Sequence, residues 1–304
     1  MLKYVSVAAA LKLFSATSIG RRAYRALGNT VGARSRIRRG LEPRYLQRAK
    51  YLIQLCDRYN VPQKGDKTLE IGTGWVHWES LILRLFFEIE PTAFDVWDNR
   101  QFSAFLYYVE QLAYRINAEI NFGGERLERA HSLLSRVRKA QSFKEVYKIL
   151  DLIYMVDPTG TLGQMQDEQY SLIVSWDVLE HISRSVLPSF LEDFYRVLKP
   201  GGYSIHHIDM RDHLTYYDPS VFHKYYLKYS DGAWKRVFEN KVQYINRVQR
   251  PEWLTLFESA GLELVHTEFD FIDTPTMKVD RSYAHLSEED LRCSAIRVVH
   301  RKNG

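Results

Sequence analysis

The sequence predicts an α/β fold built on a mostly parallel sheet with helices on both faces. The apolar run Thr68–Ile71 is followed by a glycine turn, by helical spacing over Trp75–Phe87 and by a second strand at Thr92–Val96. A strand, a helix and a second strand in this order form a βαβ unit, in which the two strands run parallel. The later run Ser171–Trp176 (SLIVSW) is apolar on both faces, as a covered parallel strand must be.

The chain before the first strand is predicted to be helical. Residues 44–60 place apolar side chains at i, i+3, i+4 and i+7, and Pro62 lies just beyond this helix. Residues 1–41 carry nine Lys or Arg and no acid, whereas the rest of the chain carries 33 basic and 37 acidic side chains. We therefore expect residues 1–62 to form a basic helical arm or cap and residues 63–304 to form the α/β domain. The mildly acidic body argues against a nucleic-acid surface that covers the whole fold.

The basic arm is open to three interpretations. It is a structural cap, a contact with an anionic membrane surface, or a mitochondrial transit peptide, which is also poor in acids and rich in Arg and Ser. No apolar run approaches the roughly 20 residues that cross a bilayer. The two cysteines, Cys56 and Cys293, are too few and too far apart for a disulfide framework or a CxxC metal site. A reducing compartment, and hence a cytoplasmic location, fits best.

Between the second and third strands the sequence predicts a helical insertion over about residues 101–150. Its pattern is helical and strongly charged with one break at Asn121–Gly124, which predicts a pair of helices. Ile153–Val156 follows as a third strand, and Ser171–Trp176 is the fourth.

The C-terminal half contains a helix, a strand and then a long irregular segment. Leu187–Leu198 is amphipathic and is stopped by Lys199–Gly202 (KPGG), after which Tyr203–Ile208 is a fifth strand. Residues 209–250 are rich in Tyr, His and Asp without periodicity, and we interpret them as a lid inserted after that strand. The remaining predicted elements are a helix at Pro251–Ser259 and an antiparallel strand pair at Leu262–Phe269 and Ser294–His300.

The motif LEIGTGW at the end of the first strand predicts a ligand-binding turn. Gly72 and Gly74 permit a tight turn and a close backbone approach to a ligand, but the third glycine of a dinucleotide-binding G-x-G-x-x-G loop is absent. Glu70 precedes the turn, and its carboxylate repels a pyrophosphate but attracts an ammonium or sulfonium group. Asp95 ends the second strand, where an acid accepts hydrogen bonds from ribose hydroxyls. Either acid is alternatively a helix cap.

Four motifs in this order resemble those of class I S-adenosylmethionine-dependent methyltransferases. They are LEIGTGW at Leu69–Trp75, the strand-end acid Asp95, YSLIVSWDVLEHI at Tyr170–Ile182 and FYRVLKPGGYS at Phe194–Ser204. The resemblance extends from about Lys67 to the C-terminus. It implies a Rossmann-like sheet of seven mostly parallel strands with an antiparallel last strand. Within that family the chain is similar to bacterial enzymes with GTGWVHWES and S-x-H-x-I-D-x-x-D-H motifs, and the resemblance leaves their substrate open.

The resemblance implies S-adenosylmethionine as the cofactor and assigns residues to it. Asp95 would hold the ribose and Asp157 would lie near the adenine amino group. Asp177, at the end of the fourth strand, would lie beside the sulfonium and the acceptor. The methionine end would be lined by Glu70, Gly72, Thr73 and Gly74. One departure from the family pattern is Val76, which replaces the third glycine of E-x-G-x-G-x-G.

Methyl transfer to a hydroxyl requires a base, and open α/β sheets bind ligands beyond the carboxyl ends of their strands. The candidates beyond the fourth and fifth strands are His181, His206, His207, Asp209 and His213. His206 and His207 are adjacent on a strand and face opposite sides, so at most one of them points into the site. His181 is alternatively a residue that only fixes the turn after the fourth strand. The density of His and Asp is alternatively that of a metal site, since some sugar O-methyltransferases use a divalent cation. We predict no metal site, because no two of these residues share the H-E-x-x-H frame of a zinc helix.

The sequence thus predicts a methyltransferase that acts on a hydroxyl of a small-molecule or glycan-type acceptor. The lid contains aromatic side chains that suit either stacking on sugar rings or plain packing: Tyr216, Tyr217, Tyr225, Tyr226, Tyr229 and Trp234. An RNA or DNA methyltransferase that grips with the basic arm is the nearest alternative, although WDVLEH differs from the PPY-type loop of amino-group base methylation. A nicotinamide-dependent oxidoreductase is a further alternative, which Glu70 and the absent third glycine oppose. A homodimer is left open.

Overall fold

The computed structural model describes residues 2–120, 122–273 and 278–304, and strands within them form one seven-stranded sheet. The strands are β1 (Lys67–Ile71), β2 (Glu90–Asp95), β3 (Ile153–Val156), β4 (Tyr170–Trp176), β5 (Leu198–Asp209), β6 (Leu262–Phe271) and β7 (Cys293–Lys302). Their order in the sheet is β3-β2-β1-β4-β5-β7-β6. β1 pairs parallel with β2 and β4, and β2 pairs parallel with β3, whereas the last strands are antiparallel. The predicted Rossmann-like sheet is confirmed.

Helices precede the first strand and fill most connections between strands. They are α1 (Leu2–Ala16), α2 (Ser18–Arg39), α3 (Pro43–Tyr59), α4 (Trp78–Phe86), α5 (Phe102–Glu119), α6 (Gly124–Val137), α7 (Phe143–Leu150), α8 (Leu187–Val197), α9 (Asp231–Val237), α10 (Arg250–Ser259) and α11 (Glu288–Arg292). The helix predicted at residues 44–60 is confirmed as α3. It begins with a proline and ends at Asn60, whose left-handed φ of 52° returns the backbone N–H to the last turn.

The helical insertion differs from its prediction, since it contains three helices instead of a pair. The predicted break separates α5 from α6, although Asn121 itself lies outside the described residues. A second break separates α6 from α7, where the Ser142 hydroxyl accepts a hydrogen bond from the backbone N–H of Glu145 at 3.3 Å and caps α7. The apolar spacing continues across this break because α6 and α7 contribute to the same core. Periodicity alone therefore could not separate them.

The fifth strand and the lid also differ from their predictions. β5 begins at Leu198 and includes Lys199–Gly202, which was predicted only to stop the preceding helix. Lys199–Gly202 can follow the end of the helix and also belong to the strand, because α8 ends at Val197, immediately before β5. The segment 209–250 is not wholly irregular, since it contains short 3₁₀ turns and α9. The predicted strand pair is confirmed as β6 and β7, which are neighbours in the sheet.

The chain divides into two compact units. The first, here called the glycine-turn unit, comprises Leu27–Ser175, Arg196–Ser204 and the last three residues, and it contains β1, β2 and β3. The second, here called the histidine unit, comprises the N-terminal segment through Ala26, Trp176–Tyr195 and Ile205–Arg301. The histidine unit contains α1, the lid and β6.

The glycine-turn unit has a core of helix and strand side chains around α4. Eight of the nine residues of α4 are buried, because α3, α6, β1 and β2 pack around it. The largest buried side chains of this core include Trp78, Phe86, Phe105 and Tyr108. A helix buried on nearly all sides cannot shift without opening cavities, so α4 fixes the turn that precedes it.

The histidine unit has its own core, in which α1 packs against the lid. Tyr4 and Leu11 are buried with Leu214, Tyr226 and Trp234. The Tyr4 hydroxyl donates to Asp212 Oδ2 at 2.6 Å, and the Tyr4 backbone N–H donates to a carboxylate oxygen of Asp218 at 3.1 Å. The first helix of the basic arm is therefore part of the folded unit. α2 buries none of its residues.

Among the described residues, no helix taken alone combines the length and the apolar character of a membrane span. α1 and α2 reach that measure only as a pair, and the chain bends by 118° between them.

Candidate functional site

The glycine turn is tied to the end of β2 by backbone hydrogen bonds. The N–H groups of Gly72 and Thr73 both donate to the Phe94 carbonyl, at 2.9 and 3.1 Å. Gly72 and Gly74 have φ values of 70° and 62°, which most side chains would strain. The N–H of Gly74 donates to Asp95 Oδ2 at 2.9 Å. The structure thus brings the two predicted glycines and the strand-end acid together.

Asp95 is nearly buried and holds the backbone on both of its sides. Besides the bond from Gly74, its Oδ1 accepts a hydrogen bond from the N–H of Trp97 at 3.2 Å. Burial raises the pKa of Asp95, while the hydrogen bonds from the backbone N–H groups of Gly74, Trp97 and Val96 act in the opposite direction. A carboxylate oxygen can accept two hydrogen bonds, so the Asp95 side chain retains capacity for hydroxyl donors.

Glu70 acts as a cap beneath the glycine turn. Its carboxylate accepts hydrogen bonds from the N–H groups of Ser80 (3.0 Å) and Glu79 (3.3 Å) at the start of α4, and from the Thr73 hydroxyl (2.9 Å). Burial, and then the neighbouring Glu79 carboxylate, raise the pKa of Glu70. This geometry matches the helix-cap alternative that the sequence left open. Its role beside the methionine end of a cofactor stays a prediction.

His77 completes the turn where the glycine of a dinucleotide loop is absent. It has a left-handed φ of 46°, and its Nδ1 and Nε2 lie 2.7 and 2.9 Å from the hydroxyls of Thr73 and Tyr147. Burial, and then the Arg100 guanidinium, lower the pKa of His77 to about 3. The ring is therefore neutral at physiological pH and bridges the turn to α7. Sequence reasoning noted only that a glycine was missing here.

Asp157 lies next to Asp95 through the backbone, since its N–H donates to the Asp95 carbonyl at 3.0 Å. Its partly exposed side chain accepts hydrogen bonds from the Thr159 hydroxyl and N–H, which lower its pKa. Two indole rings in the same unit are more than a third exposed, those of Trp75 and Trp97. Two acids and two partly exposed indoles thus occur around one turn, a set of side chains that suits a nucleoside.

In the histidine unit, Asp177 and His207 form a hydrogen-bonded pair. Asp177 follows β4 with a left-handed φ of 57°, a conformation that non-glycine residues seldom adopt outside functional or turn positions. Its N–H donates to the His207 carbonyl at 3.1 Å, and its Oδ1 lies 2.6 Å from His207 Nδ1. The His207 ring stacks on Trp176 with the planes 5° apart. Trp176 therefore packs on one face of the imidazole, and Asp177 binds its Nδ1.

Asp209 is held ionised by its neighbours. It accepts two hydrogen bonds from the Arg211 guanidinium, at 2.8 and 2.9 Å, and one from the Tyr216 hydroxyl at 2.6 Å. Burial alone would raise its pKa, but the proximity of His213 and the hydrogen bonds from Arg211 and Tyr216 hold the pKa of Asp209 far below its ordinary range. A carboxylate engaged in this way orients its neighbours and is a poor proton acceptor.

His181 and His213 lie together, with ring centroids 4.9 Å apart. His181 belongs to a 3₁₀ turn, residues 179–181, which is clamped by Asn246. The Asn246 side chain donates to the carbonyls of Leu179 and Ile182 at 2.9 and 3.1 Å. Burial, and then the proximity of His213, lower the pKa of His181 to about 4, so the ring is neutral near pH 7. His213 lies 3.7 Å from Asp209.

His206 does not join these groups and is corrected here as a candidate base. Its ring stacks on Phe194 and Phe257, at centroid distances of 5.1 and 5.5 Å, on the opposite face of β5 from His207. Burial, and then His300, lower its pKa well below the ordinary value. The expectation that only one of the two adjacent histidines points toward the polar group is confirmed.

Two residues that complete these clusters, Glu180 and Arg211, are absent from the sequence-predicted candidates. Both lie inside the quoted motifs, Glu180 in VLEHI and Arg211 in IDMRDH. An acid beside a histidine at the end of a parallel strand was the available signal for Glu180. Nothing in the sequence indicated that Arg211 pairs with Asp209, because the conformation of the turn after β5 brings the two side chains together.

The family follows from comparison with known proteins. A family model described as a methyltransferase domain matches residues 44–267, well over half of the chain. This chain is a class I S-adenosylmethionine-dependent methyltransferase. The expected enzyme class and cofactor are thereby confirmed, and the oxidoreductase alternative is excluded. No sequence among the curated proteins matches the chain.

Solved structures with a similar fold have low sequence identity. Phosphoethanolamine N-methyltransferase 2 of Haemonchus contortus, in complex with S-adenosylmethionine, is 13% identical with a TM-score of 0.45. The match covers 83% of this chain and 52% of that one, so this chain spans about half of its length. An S-adenosylmethionine-dependent methyltransferase from Methanosarcina mazei is 16% identical (TM-score 0.43; 81% and 96% covered). The carbon methyltransferase CurJ is 14% identical (TM-score 0.40; 80% and 50% covered).

Proposed function

We propose that this methyltransferase transfers a methyl group to a hydroxyl of a small-molecule or glycan-type acceptor, with His207 as the general base. The observation that carries the proposal is the pair of Asp177 and His207, with 2.6 Å between Oδ1 and Nδ1. A carboxylate at one ring nitrogen fixes the tautomer and stabilises the imidazolium that forms when the other nitrogen accepts a proton. A general base is not needed for every amine or carbon acceptor, whereas a hydroxyl of high pKa needs one to take its proton.

The residues of the glycine turn would hold the cofactor. Asp95 would accept hydrogen bonds from the ribose hydroxyls. Trp97 is 38% exposed and offers an indole for the adenine, whereas the Arg36 guanidinium already covers one face of Trp75 at 3.4 Å from the ring centroid. S-adenosylmethionine supplies an electrophilic methyl group when bound. The protein is left to orient the acceptor oxygen and to remove its proton.

Two of the lid aromatics are available for an acceptor. Tyr226 and Trp234 are buried in the core of the histidine unit, so packing explains them. Tyr216 and Tyr217 are respectively 52% and 36% exposed, and the Tyr216 hydroxyl is fixed by Asp209. His213 stacks on the Tyr216 ring, so only the rest of the exposed Tyr216 body is suited to contact a sugar or a flat aromatic acceptor.

The proposal is tested with purified protein, labelled S-adenosylmethionine and pools of small-molecule, glycan and polynucleotide acceptors. Once an acceptor is found, His207→Asn is expected to lower kcat by roughly a hundredfold to ten-thousandfold, because the proton acceptor is lost. Binding of S-adenosylhomocysteine should stay unchanged. The matched control is His266→Asn, which removes another histidine that lies 3.2 Å from a carboxylate, that of Glu268, in the same unit.

Two outcomes would overturn the proposal. Transfer to polynucleotide alone would favour the nucleic-acid alternative, in which the basic arm binds the phosphate backbone. An unchanged kcat in His207→Asn, with a hydroxyl acceptor, would remove His207 as the base while leaving the acceptor class in place.

A further inference from the structure

A second polar group in the histidine unit lies beside the proposed base but is not used by it. Glu180, His181 and His213 each offer one ligand atom, a carboxylate oxygen or an imidazole nitrogen, and these atoms lie within 4.8 Å of one another. Two of the three residues come from the turn after β4 and the third from the 3₁₀ turn after β5. Three ligand atoms at this mutual distance can contact a single ion.

Glu180 gives the independent observation that points to a ligand. The residue is 2% exposed, and neither carboxylate oxygen accepts a hydrogen bond of normal geometry from the residues that the structure describes, although the backbone N–H groups of Glu180 and Asp209 lie near enough to lower its pKa. The carboxylates of Asp177 and Asp209 lie near enough to repel its charge. A buried carboxyl group is normally paired or hydrogen-bonded, because an unpartnered one forfeits its hydration without compensation. The arrangement therefore lacks a positive partner for this carboxylate.

The two histidines are oriented as metal ligands usually are. His181 Nδ1 lies 2.6 Å from the Tyr244 carbonyl, so it carries the proton and donates it, and Nε2 keeps its lone pair. A hydrogen bond from the other ring nitrogen to a carbonyl or carboxylate is the common support of a ligating histidine. His213 stacks on Tyr216 and has the Asp209 carboxylate 3.7 Å from its Nε2. Both rings are thus held by partners outside the three-residue group.

We propose that Glu180, His181 and His213 form a binding site for a divalent transition-metal cation. Two imidazoles and one carboxylate suit the class of Zn²⁺, Mn²⁺, Fe²⁺ or Co²⁺, whereas Mg²⁺ and Ca²⁺ prefer oxygen ligands. Three protein ligands leave coordination positions open for an oxygen of a bound molecule. The cation would neutralise Glu180 and offset the repulsion from Asp177 and Asp209.

The site departs from the sequence expectation of no metal. That expectation depended on the spacing of a zinc helix, in which both ligands lie on one helical face. Here the ligands are two neighbours on a turn and a third residue 32 positions later in the chain. If the proposed hydroxyl acceptor is correct, a cation at this place is available to bind the acceptor oxygen and lower its pKa. The metal site itself does not depend on that function.

The test uses the full-length protein freed of metal with a chelator, without cofactor or acceptor. Isothermal titration with Zn²⁺ and Mn²⁺ is expected to show one cation bound per chain, and Mg²⁺ to bind far more weakly. Glu180→Gln and His213→Ala are each expected to weaken binding by roughly a hundredfold or more. The matched controls are Glu268→Gln and His266→Ala, which change an acid and a histidine that also lie in contact within this unit.

The electron paramagnetic resonance spectrum of bound Mn²⁺ gives a second readout on the unmodified chain, since the nuclear spins of ligating imidazole nitrogens couple to the electron spin of the ion. Absence of a stoichiometric cation on the wild-type protein overturns the proposal, whatever the variants do. So does binding that Glu180→Gln leaves unchanged, or binding without nitrogen coupling. Because these measurements need no methyl transfer, their failure is distinguishable from a failure of the proposed acceptor class.

Discussion

Two glutamates, Glu70 and Glu180, are buried to the same degree in different units of this molecule. Each is 2% exposed. Burial raises the pKa of both, and a neighbouring carboxylate raises each further, that of Glu79 in one case and of Asp177 in the other. Glu70 lies in β1, one residue before its end, and Glu180 lies in the 3₁₀ turn that follows β4. On these measures alone the two side chains would be given the same role.

Their hydrogen bonds separate them. Glu70 accepts three hydrogen bonds, from Thr73, Glu79 and Ser80, and so completes the glycine turn and the start of α4. Glu180 accepts none of normal geometry within the described residues. A buried acid whose oxygens are satisfied by backbone N–H groups stabilises the fold, whereas one without partners implies a ligand that the chain itself does not supply. Hydrogen-bond satisfaction, and not burial, distinguishes structure from binding here.

The largest expected effect is on stability, where substitutions of Glu70 and Glu180 should differ. Glu70→Ala should lower the free energy of unfolding by about 3 kcal/mol, because it leaves buried N–H groups at the start of α4 without an acceptor. Glu180→Gln, measured with chelator present, should change it by no more than about 1 kcal/mol, since no hydrogen bond is lost. Urea unfolding of both variants checks this. Equal losses in the two would contradict the distinction.

The next largest effect is on cofactor affinity, which should depend on the glycine turn and not on Glu180. Asp95→Ala should weaken S-adenosylhomocysteine binding by roughly tenfold to a hundredfold, about 1.5–3 kcal/mol, because a charged hydrogen-bond acceptor is lost. Glu180→Gln should leave that affinity unchanged. Isothermal titration measures both, with Asp98→Ala as the matched control for an acid three residues along the chain. Full affinity in Asp95→Ala would remove the glycine turn as the cofactor site.

The pH dependence of stability tests the glycine turn through His77. Its pKa is lowered from 6.5 to about 3 in the folded protein, so the unfolded chain binds a proton that the folded one excludes. The stabilisation is complete above pH 6.5 and is lost as the pH falls toward 3, with a slope of at most about 1.4 kcal/mol per pH unit. His77→Asn, which tolerates the left-handed backbone, should flatten that slope. An unchanged slope in urea unfolding curves would show that His77 is protonated in the fold.

The smallest expected effect concerns the histidine unit. Tyr4→Phe removes the hydroxyl that donates to Asp212 at 2.6 Å, while the N–H of Leu214 still donates to the same carboxylate at 3.0 Å. Because one acceptor remains partly satisfied, the free energy of unfolding should fall by only about 1 kcal/mol. Ser6→Ala on the exposed face of α1 is the control. A loss as large as that of Glu70→Ala would mean that α1 is essential to the unit.

Much of the fold was predictable because local patterns decided it. The βαβ unit, the fourth strand and the last strand pair follow from apolar runs and turn residues that act over a few positions. The division of the insertion into α5, α6 and α7 was not predictable, because helices that share a core keep one apolar phase across a break. Near the glycine turn, the sequence indicated that Gly72, Gly74 and Asp95 lie together, as the structure has them, while their role toward a cofactor stays a prediction. Glu180 and Arg211 were not predicted, because the neighbours of Glu180 are distant in sequence and the pairing of Arg211 with Asp209 is set by a turn.

The sequence by itself determined the enzyme class and a mostly parallel sheet, since these follow from short motifs and from a βαβ connection, whereas the order of the strands came from the structure. It also determined that only one of the adjacent residues His206 and His207 can face a polar site, because side chains alternate along a strand. Only the tertiary structure decided that Glu70 is satisfied and Glu180 is not. That difference arises from backbone N–H groups and side chains brought close by folding, and no spacing along the chain encodes it.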